Sequence, residues 1–467
     1  MANTYYTPGV YIEEISKFPP SITAVETAIP AFIGFTDTAI ADGKSVTGTP
    51  VRISSLLEYE NIFGGPQKEQ NLVVTITESD TSGIRYNVSV NEEPGKGLSK
   101  HIMYYALQQF YANGGGPCYI ISVGGYQDLG TPLEGQDDFI DALTELKKQD
   151  EPTLIVFPEG QNMPPDMYKT LLEAALEQCF ELKDRFVIMD LFDSGVELKT
   201  EGEILDAANA FRSAISSDQN RLSYGAVYFP NIRSTFDYAY DPETVTIVGR
   251  ESDKYADLNN LDKSNVRLAI ANYSIILPPS ASVAGVYARV DNSRGVWKAP
   301  ANEGLLAVSG VTCEVSDQIQ RNLNVDVNAG KSVNVIRFFP GRGIKVWGAR
   351  TLDGNSNEWR YVSVRRYFNM VEESTKKASE GFVFEPNDAN TWVKVKAMIE
   401  NFLINQWRSG ALAGAKPEHA FYVKIGINET MTAFDILEGK MIVEIGLAVV
   451  RPAEFIILKF SHKMQES

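Results

Sequence analysis

The sequence predicts an α/β (α+β) chain: a central α/β domain on a mainly parallel sheet, a second α/β domain towards the C-terminus, and an extended strand arm at each end. Three observations carry that expectation. Between residues 99 and 229, amphipathic stretches of helical length alternate with short β-rich runs. Those runs are almost continuously apolar, as strands covered on both faces are. Prolines at Pro19, Pro20 and Pro452 set off a β-prone run near each terminus.

Residues 1–27 read as an N-terminal arm whose β-prone run, 10–15, presents Val10, Tyr11, Ile12 and Ile15 and needs a partner strand. An outer α/β domain follows over 28–298. Its first strand is 31–35, and Ser55 with Glu58 forms a capping pair that opens a short helix stopped at Gly64-Gly65-Pro66. The β-formers on either side of 79–83 predict a hairpin, inserted at 70–97. Met103, Leu107, Phe110 and Tyr111 share a helix face, and Gly114-Gly115-Gly116-Pro117 ends that helix before a strand at 118–123. Helices at 137–149, 166–183 and 201–216 then lead to strands at 153–157, 186–191 and 224–229. Pro300 and Gly304 interrupt the pattern, so a C-terminal core domain is expected over 299–451. It holds two long helices, 364–379 and 389–409, the second with Trp392, Val395, Ile399, Phe402 and Leu403 on one side. Residues 452–467 read as a C-terminal arm, with Phe455, Ile456, Ile457, Leu458 and Phe460 in its strand-like run.

With 467 residues, 44% of them hydrophobic, the chain is long enough to bury large cores. Its net charge of −17 repels nucleic acid and anionic lipid. The longest apolar stretch, 442–450, is broken by Glu444 and falls short of the roughly 20 residues that span a bilayer, so no membrane insertion is expected. The N-terminus has no basic start followed by an apolar block, so the protein is expected to stay where it is made. Cys118, Cys179 and Cys313 suit reduced, buried thiols.

Several motifs look chemical. Residues 328–332 and 42–45 end like phosphate-binding loops, but Val325 and Thr38 stand where the leading glycine belongs, and turns are expected. Glu159, Asp190 and Asp193 fall at or just past the C-terminal ends of strands, where α/β folds place ligands. They supply the alternative reading, a hydrolase-like enzyme with an acidic site. No serine, lysine or histidine nucleophile accompanies them in a recognisable motif, so no catalytic, cofactor or metal residue is assigned. His101, His419 and His462 are too scattered for a metal cluster. Arg365, Arg366, Lys376, Lys377, Lys394 and Lys396 form local positive faces in an acidic protein.

Taken in order, TPGVYIEEI (7–15), AFIGFT (31–36) and YANGGGPCYIISV (111–123) resemble blocks of the tail sheath proteins of contractile phages, R-type bacteriocins and phage-like extracellular injection systems. The resemblance is stronger in APANEGLLAVSGV (299–311), NVIRFFPGRGIKVWGARTL (334–352) and WRYVSVRRYFNMVEES (359–374), and continues through FVFEPND, RSGALAG, AFYVKIG and RPAEFIILKF. Residues 124–298 match only in their α/β character.

The resemblance implies a structural, non-enzymatic subunit of a six-fold helical contractile cylinder that shortens without nucleotide and drives an inner tube through a target envelope. It implies as partners further copies of the chain, an inner tube protein, and baseplate and tail-terminator or cap proteins, and it leaves open sister sheath proteins. Assembly in the bacterial cytoplasm, and release as a phage tail or tail-like particle, are expected. The single chain departs from type VI secretion sheaths, which split the subunit in two. The small hairpin insertion favours a bacteriocin or an extracellular injection particle over a large phage. The strand runs Val10, Tyr11, Ile12, Ile15 and Phe455, Ile456, Ile457, Leu458, Phe460 are expected to exchange between neighbours, and the six basic residues are the expected tube contact.

Overall fold

The computed structural model describes residues 21–79, 83–91, 93, 96–129, 133–192, 198, 200–215, 218–326, 328 and 330–458. The chain divides into two compact units: residues 26–372 with 451–467, and residues 373–450 with 1–25.

The larger unit is organised by a nine-stranded sheet. Across it the strands run Glu303–Gly304, Gly343–Val346, Val333–Phe339, Gly225–Phe229, Phe186–Asp190, Leu154–Val156, Pro30–Thr36, Cys118–Gly125 and Val51–Ile53. The six from Val333–Phe339 to Cys118–Gly125 pair in parallel, and the flanking strands are antiparallel. Successive side chains alternate between two cores, as the period of a strand requires. Val187, Met189, Val227 and Phe229 face one core with helices Gln136–Leu146, Pro165–Leu182 and Glu201–Ala214. Phe186, Ile188, Ala226 and Tyr228 face the other, with helices Met103–Ala112 and Ser280–Arg294. The expected sheet, covered on both faces, is present.

The capping at Ser55 is also present. Its side chain accepts from the Glu58 amide, and Gly64, at φ 79°, ends the helix Leu56–Phe63. The hairpin forms as strands Leu72–Ser79 and Gly83–Val90, and Thr246–Val248 adds to it in parallel.

The domain boundary expected at residue 299 is not where the units divide. Val227, Tyr228 and Phe229 pair in register with Val333, Asn334 and Val335, so the chain beyond Pro300 extends the same sheet. The interruption at Pro300 and Gly304 marks an edge strand, Glu303–Gly304, rather than a linker.

The smaller unit contains helix Ala389–Arg408 and an antiparallel pair of strands, Phe421–Lys424 and Glu444–Leu447. Val395, Met398, Ile399, Phe402 and Leu403 bury one face of the helix, the face the sequence predicts apart from Trp392, which is half-buried. Asp388 caps its start by accepting from the Thr391 amide.

Candidate functional site

The strand-end carboxylates Glu159 and Asp190 are internal struts. Glu159 is fully buried, and its Oε2 accepts from the Phe35 amide at 2.9 Å. A Cβ at Gly34 would stand 2.8 Å from that oxygen, so a larger residue there would collide with it. His101 Nε2 accepts from the Gln127 amide, so its Nδ1 carries the proton and faces Glu159 Oε1 at 3.5 Å. Asp190 accepts from the Ser280 amide at 2.9 Å and hydroxyl at 2.6 Å, holding the start of the buried helix Ser280–Arg294. Burial pushes its carboxyl up to about 7 against those hydrogen bonds. Asp193 lies outside the described residues. Among the described residues, no group of three or more His, Cys, Asp or Glu side chains is placed to hold a metal ion.

Lys331, in the loop that ends like a phosphate-binding motif, is equally committed. Its Nζ donates to the carbonyl of Arg212 at 2.6 Å and to that of Ile215, at the C-terminal end of helix Glu201–Ala214. A lysine there meets the negative end of the helix dipole. Cys118, Cys179 and Cys313 are buried and unbridged. No helix among the described residues is long and apolar enough to cross a membrane.

The six basic candidates separate into two kinds. Arg365 and Arg366 are each 4% exposed and do not offer their charge to a partner, which corrects the expectation for both. Arg365 lies over the rings of Trp359 and Tyr224, at 4.1 and 4.7 Å, and donates to Asn369. Arg366 pairs with buried Asp291 at 2.6 Å. Lys376, Lys377 and Lys394 are exposed and Lys396 is half-buried. Lys376 and Lys377 both contact Glu373, at 3.1 and 3.4 Å.

The smaller unit carries the least satisfied surface. Its sheet has two strands, so each has an edge that no strand covers among the described residues. A two-stranded sheet is marginal in water, and an open edge is a template for another chain. In the same unit, Val383, Phe384, Phe434 and Leu437 are 61%, 102%, 65% and 84% exposed. Phe384 also has φ 69°, a left-handed backbone that a bulky side chain adopts only against strain. The FVFEPND block contains Val383 and Phe384, but nothing in its spacing distinguishes a solvent-facing phenylalanine from a core one. At the C-terminus, Phe455, Ile456, Ile457 and Leu458 are 71–80% exposed and form no strand. Val10, Tyr11, Ile12, Ile15 and Phe460 lie outside the described residues.

Comparison with known proteins places the chain by sequence and fold. Residues 355–463 match the family model described as the phage tail sheath C-terminal domain. The tail sheath protein of Burkholderia phage BcepMu is 30% identical over 143 residues, a match covering 30% of each chain. This chain therefore aligns with less than a third of that curated relative's length. Solved structures match from end to end. A chain of the contracted sheath complex of the PVC extracellular contractile injection system is 32% identical, with TM-score 0.65 and 99% of each chain covered. One from the contracted helical sheath of the anti-feeding prophage is 31% identical, with TM-score 0.67, covering 98% of this chain and all of that one. A chain of the six-fold symmetrised anti-feeding prophage baseplate is 32% identical, with TM-score 0.65, covering 99% of this chain and all of its own. By fold and sequence, the chain belongs to the tail sheath family of contractile injection systems, a family of structural proteins.

Proposed function

We infer that the chain polymerises into a six-fold helical cylinder around an inner tube and shortens, without nucleotide, to drive that tube through a target envelope. The observation that carries this reading is the pairing of deficits. An open two-stranded sheet in one unit lacks strands, and an apolar terminal segment lacks a sheet. β-augmentation between copies satisfies both. Arms from two neighbours would complete the sheet of a third, so hydrogen-bonded links persist while the compact units rotate as rigid bodies. Work then comes from better packing between subunits in the short state. Glu159, Asp190 and Lys331 are occupied inside the fold, which favours this reading over the enzyme alternative.

Deleting residues 1–17, or separately 455–467, should leave a folded, soluble protein that forms no cylinders by electron microscopy. Ile12→Pro should do nearly as much, because proline removes a ladder donor. Cylinders of normal appearance from either truncation would overturn the exchange.

For the tube, the four lysines are the contact we favour, meeting an acidic face. Residues 373–450 hold eight basic and ten acidic side chains, against 31 and 46 in residues 26–372, so the smaller unit repels an acidic partner least. Changing Lys376, Lys377, Lys394 and Lys396 to Glu should block assembly on tubes and spare contracted cylinders formed without them. Unimpaired assembly on tubes would remove these residues from the contact. Baseplate and cap proteins complete the partners of this reading, with assembly in the bacterial cytoplasm.

A further inference from the structure

We propose that two buried arginine clamps, Arg366 with Asp291 and Arg350 with Glu454, are the fixed points from which the arms leave the larger unit, and that they position the arms for exchange. The inference rests on the exchange proposed above and adds what holds each arm at its root.

At the N-terminal root, Arg366 and Asp291 form a two-pronged pair, Nη2 to Oδ2 at 2.6 Å and Nη1 to Oδ1 at 3.2 Å, with side chains 3% and 4% exposed. Thr27 is bound to both partners. Arg366 Nη2 donates to its carbonyl at 2.7 Å, and its hydroxyl donates to Asp291 Oδ2 at 2.6 Å. The ring of Tyr287 lies 4.5 Å from the guanidinium.

The C-terminal root repeats the chemistry. Arg350, its side chain 5% exposed, donates to Glu454 through Nη2 to Oε2 at 2.7 Å and Nε to Oε1 at 3.0 Å. Asn324 Nδ2 donates to Oε1 at 2.8 Å and Tyr361 Oη to Oε2 at 3.1 Å. The grip is confined to one residue: Glu454 is 22% exposed, whereas Phe455, which follows directly, is 71% exposed.

Exposed ion pairs contribute little, but a desolvated fork-to-fork pair fixes geometry, and losing one partner strands the other charge. A link drawn tight between subunits needs such an anchor at the point where the free segment begins. Without it, a pull on the arm would peel the chain from its own unit before moving that unit.

The test uses the full chain: mobility is read from a nitroxide on Phe455→Cys, since the three native cysteines are buried, and cylinder yield from the same clamp variants with Phe455 intact. Glu454→Gln keeps the size and one acceptor oxygen, and Arg350→Lys keeps the charge but not the fork. Expected results are a more mobile label and loss of cylinders in Glu454→Gln, smaller changes of the same kind in Arg350→Lys, and unchanged helix and strand content in both variants at the temperature of the assembly assay. Deletion of 455–467, which spares the clamp, separates the two claims. If that deletion leaves cylinders, the exchange fails. If it abolishes them while Glu454→Gln leaves label mobility or cylinder yield unchanged, the clamp has no positioning role.

Discussion

Residues 26–372 and 373–450 solve the burial problem differently. In the larger unit each central strand splits its side chains between two helix-covered cores, and Phe32, Phe110, Phe139, Phe157 and Phe186 are buried almost completely. In the smaller unit one helix face and a few strand residues make the core, while Phe384, Phe434 and Leu437 remain 65–102% exposed. Single exposed apolar residues are ordinary, but several of this size in one small unit that also carries an open sheet point to an interaction surface. The difference teaches that the larger unit buries its apolar surface within itself, whereas the smaller leaves large apolar side chains in solvent and its sheet edges uncovered among the described residues.

The largest expected effect separates the units by mutation. Phe186→Ala empties the centre of the sheet and should cost about 3–5 kcal/mol of subunit stability by denaturant unfolding. Phe384→Gly should cost the soluble subunit nothing measurable, or stabilise it by about 0.5–1 kcal/mol, because glycine accepts the left-handed backbone without strain. The same change should abolish or strongly reduce cylinders. A Phe384→Gly subunit that is clearly destabilised while still polymerising would mean that the side chain packs within its own unit, and the comparison would break.

These differences also explain what the sequence made legible. Strands such as Phe186–Asp190 and Gly225–Phe229 announce themselves because burial on both faces leaves an unbroken apolar run between amphipathic helices. Helix Ser280–Arg294 gave no such signal. It is buried on nearly every side and built largely of Ser, Ala, Gly and Val, so no polar stripe marks its period. The strand Val333–Phe339 was readable as a block, but its membership in the nine-stranded sheet depends on pairing with Gly225–Phe229 about a hundred residues earlier. The clamps were hidden for a related reason. Arg350 and Glu454 sit in two blocks that carried the family resemblance, yet 104 positions separate them and only the fold makes them a pair. Arg365 and Arg366 misled because charge in a sequence suggests surface, whereas a flat guanidinium over Trp359 or Tyr287 can be buried when its donors are matched.

A smaller effect sharpens the comparison through pH, because two buried carboxylates of the larger unit are shifted in the opposite direction from the helix-start carboxylates of the smaller. In the larger unit burial raises Asp190 and Glu69 to about 7 each, against hydrogen bonds from Ser280 and Ser99 respectively. In the smaller unit Asp388 and Asp435 are lowered, chiefly by hydrogen bonds from Thr391 and Thr432 at helix starts. A raised carboxyl stabilises the fold fully below its unfolded value, near 4, and that stability is lost as pH rises through about 7. A lowered one stabilises above the ordinary range and is lost only in acid. Moving from pH 8 to pH 5 should therefore stabilise the larger unit and leave the caps of the smaller unchanged. Asp190 alone should contribute roughly 2 kcal/mol over that window. Asp190→Asn isolates the contribution, since Asn keeps an acceptor for the Ser280 amide and offers a donor to its hydroxyl without a charge to bury. Unfolding of the unpolymerised subunit, measured from pH 5 to 8, should show a shallower slope in Asp190→Asn and a variant at least as stable as the parent at pH 8. An identical slope with a large loss at pH 8 would mean that Ser280 and the helix start hold Asp190 ionised, and the contrast between the units would not extend to their buried charges.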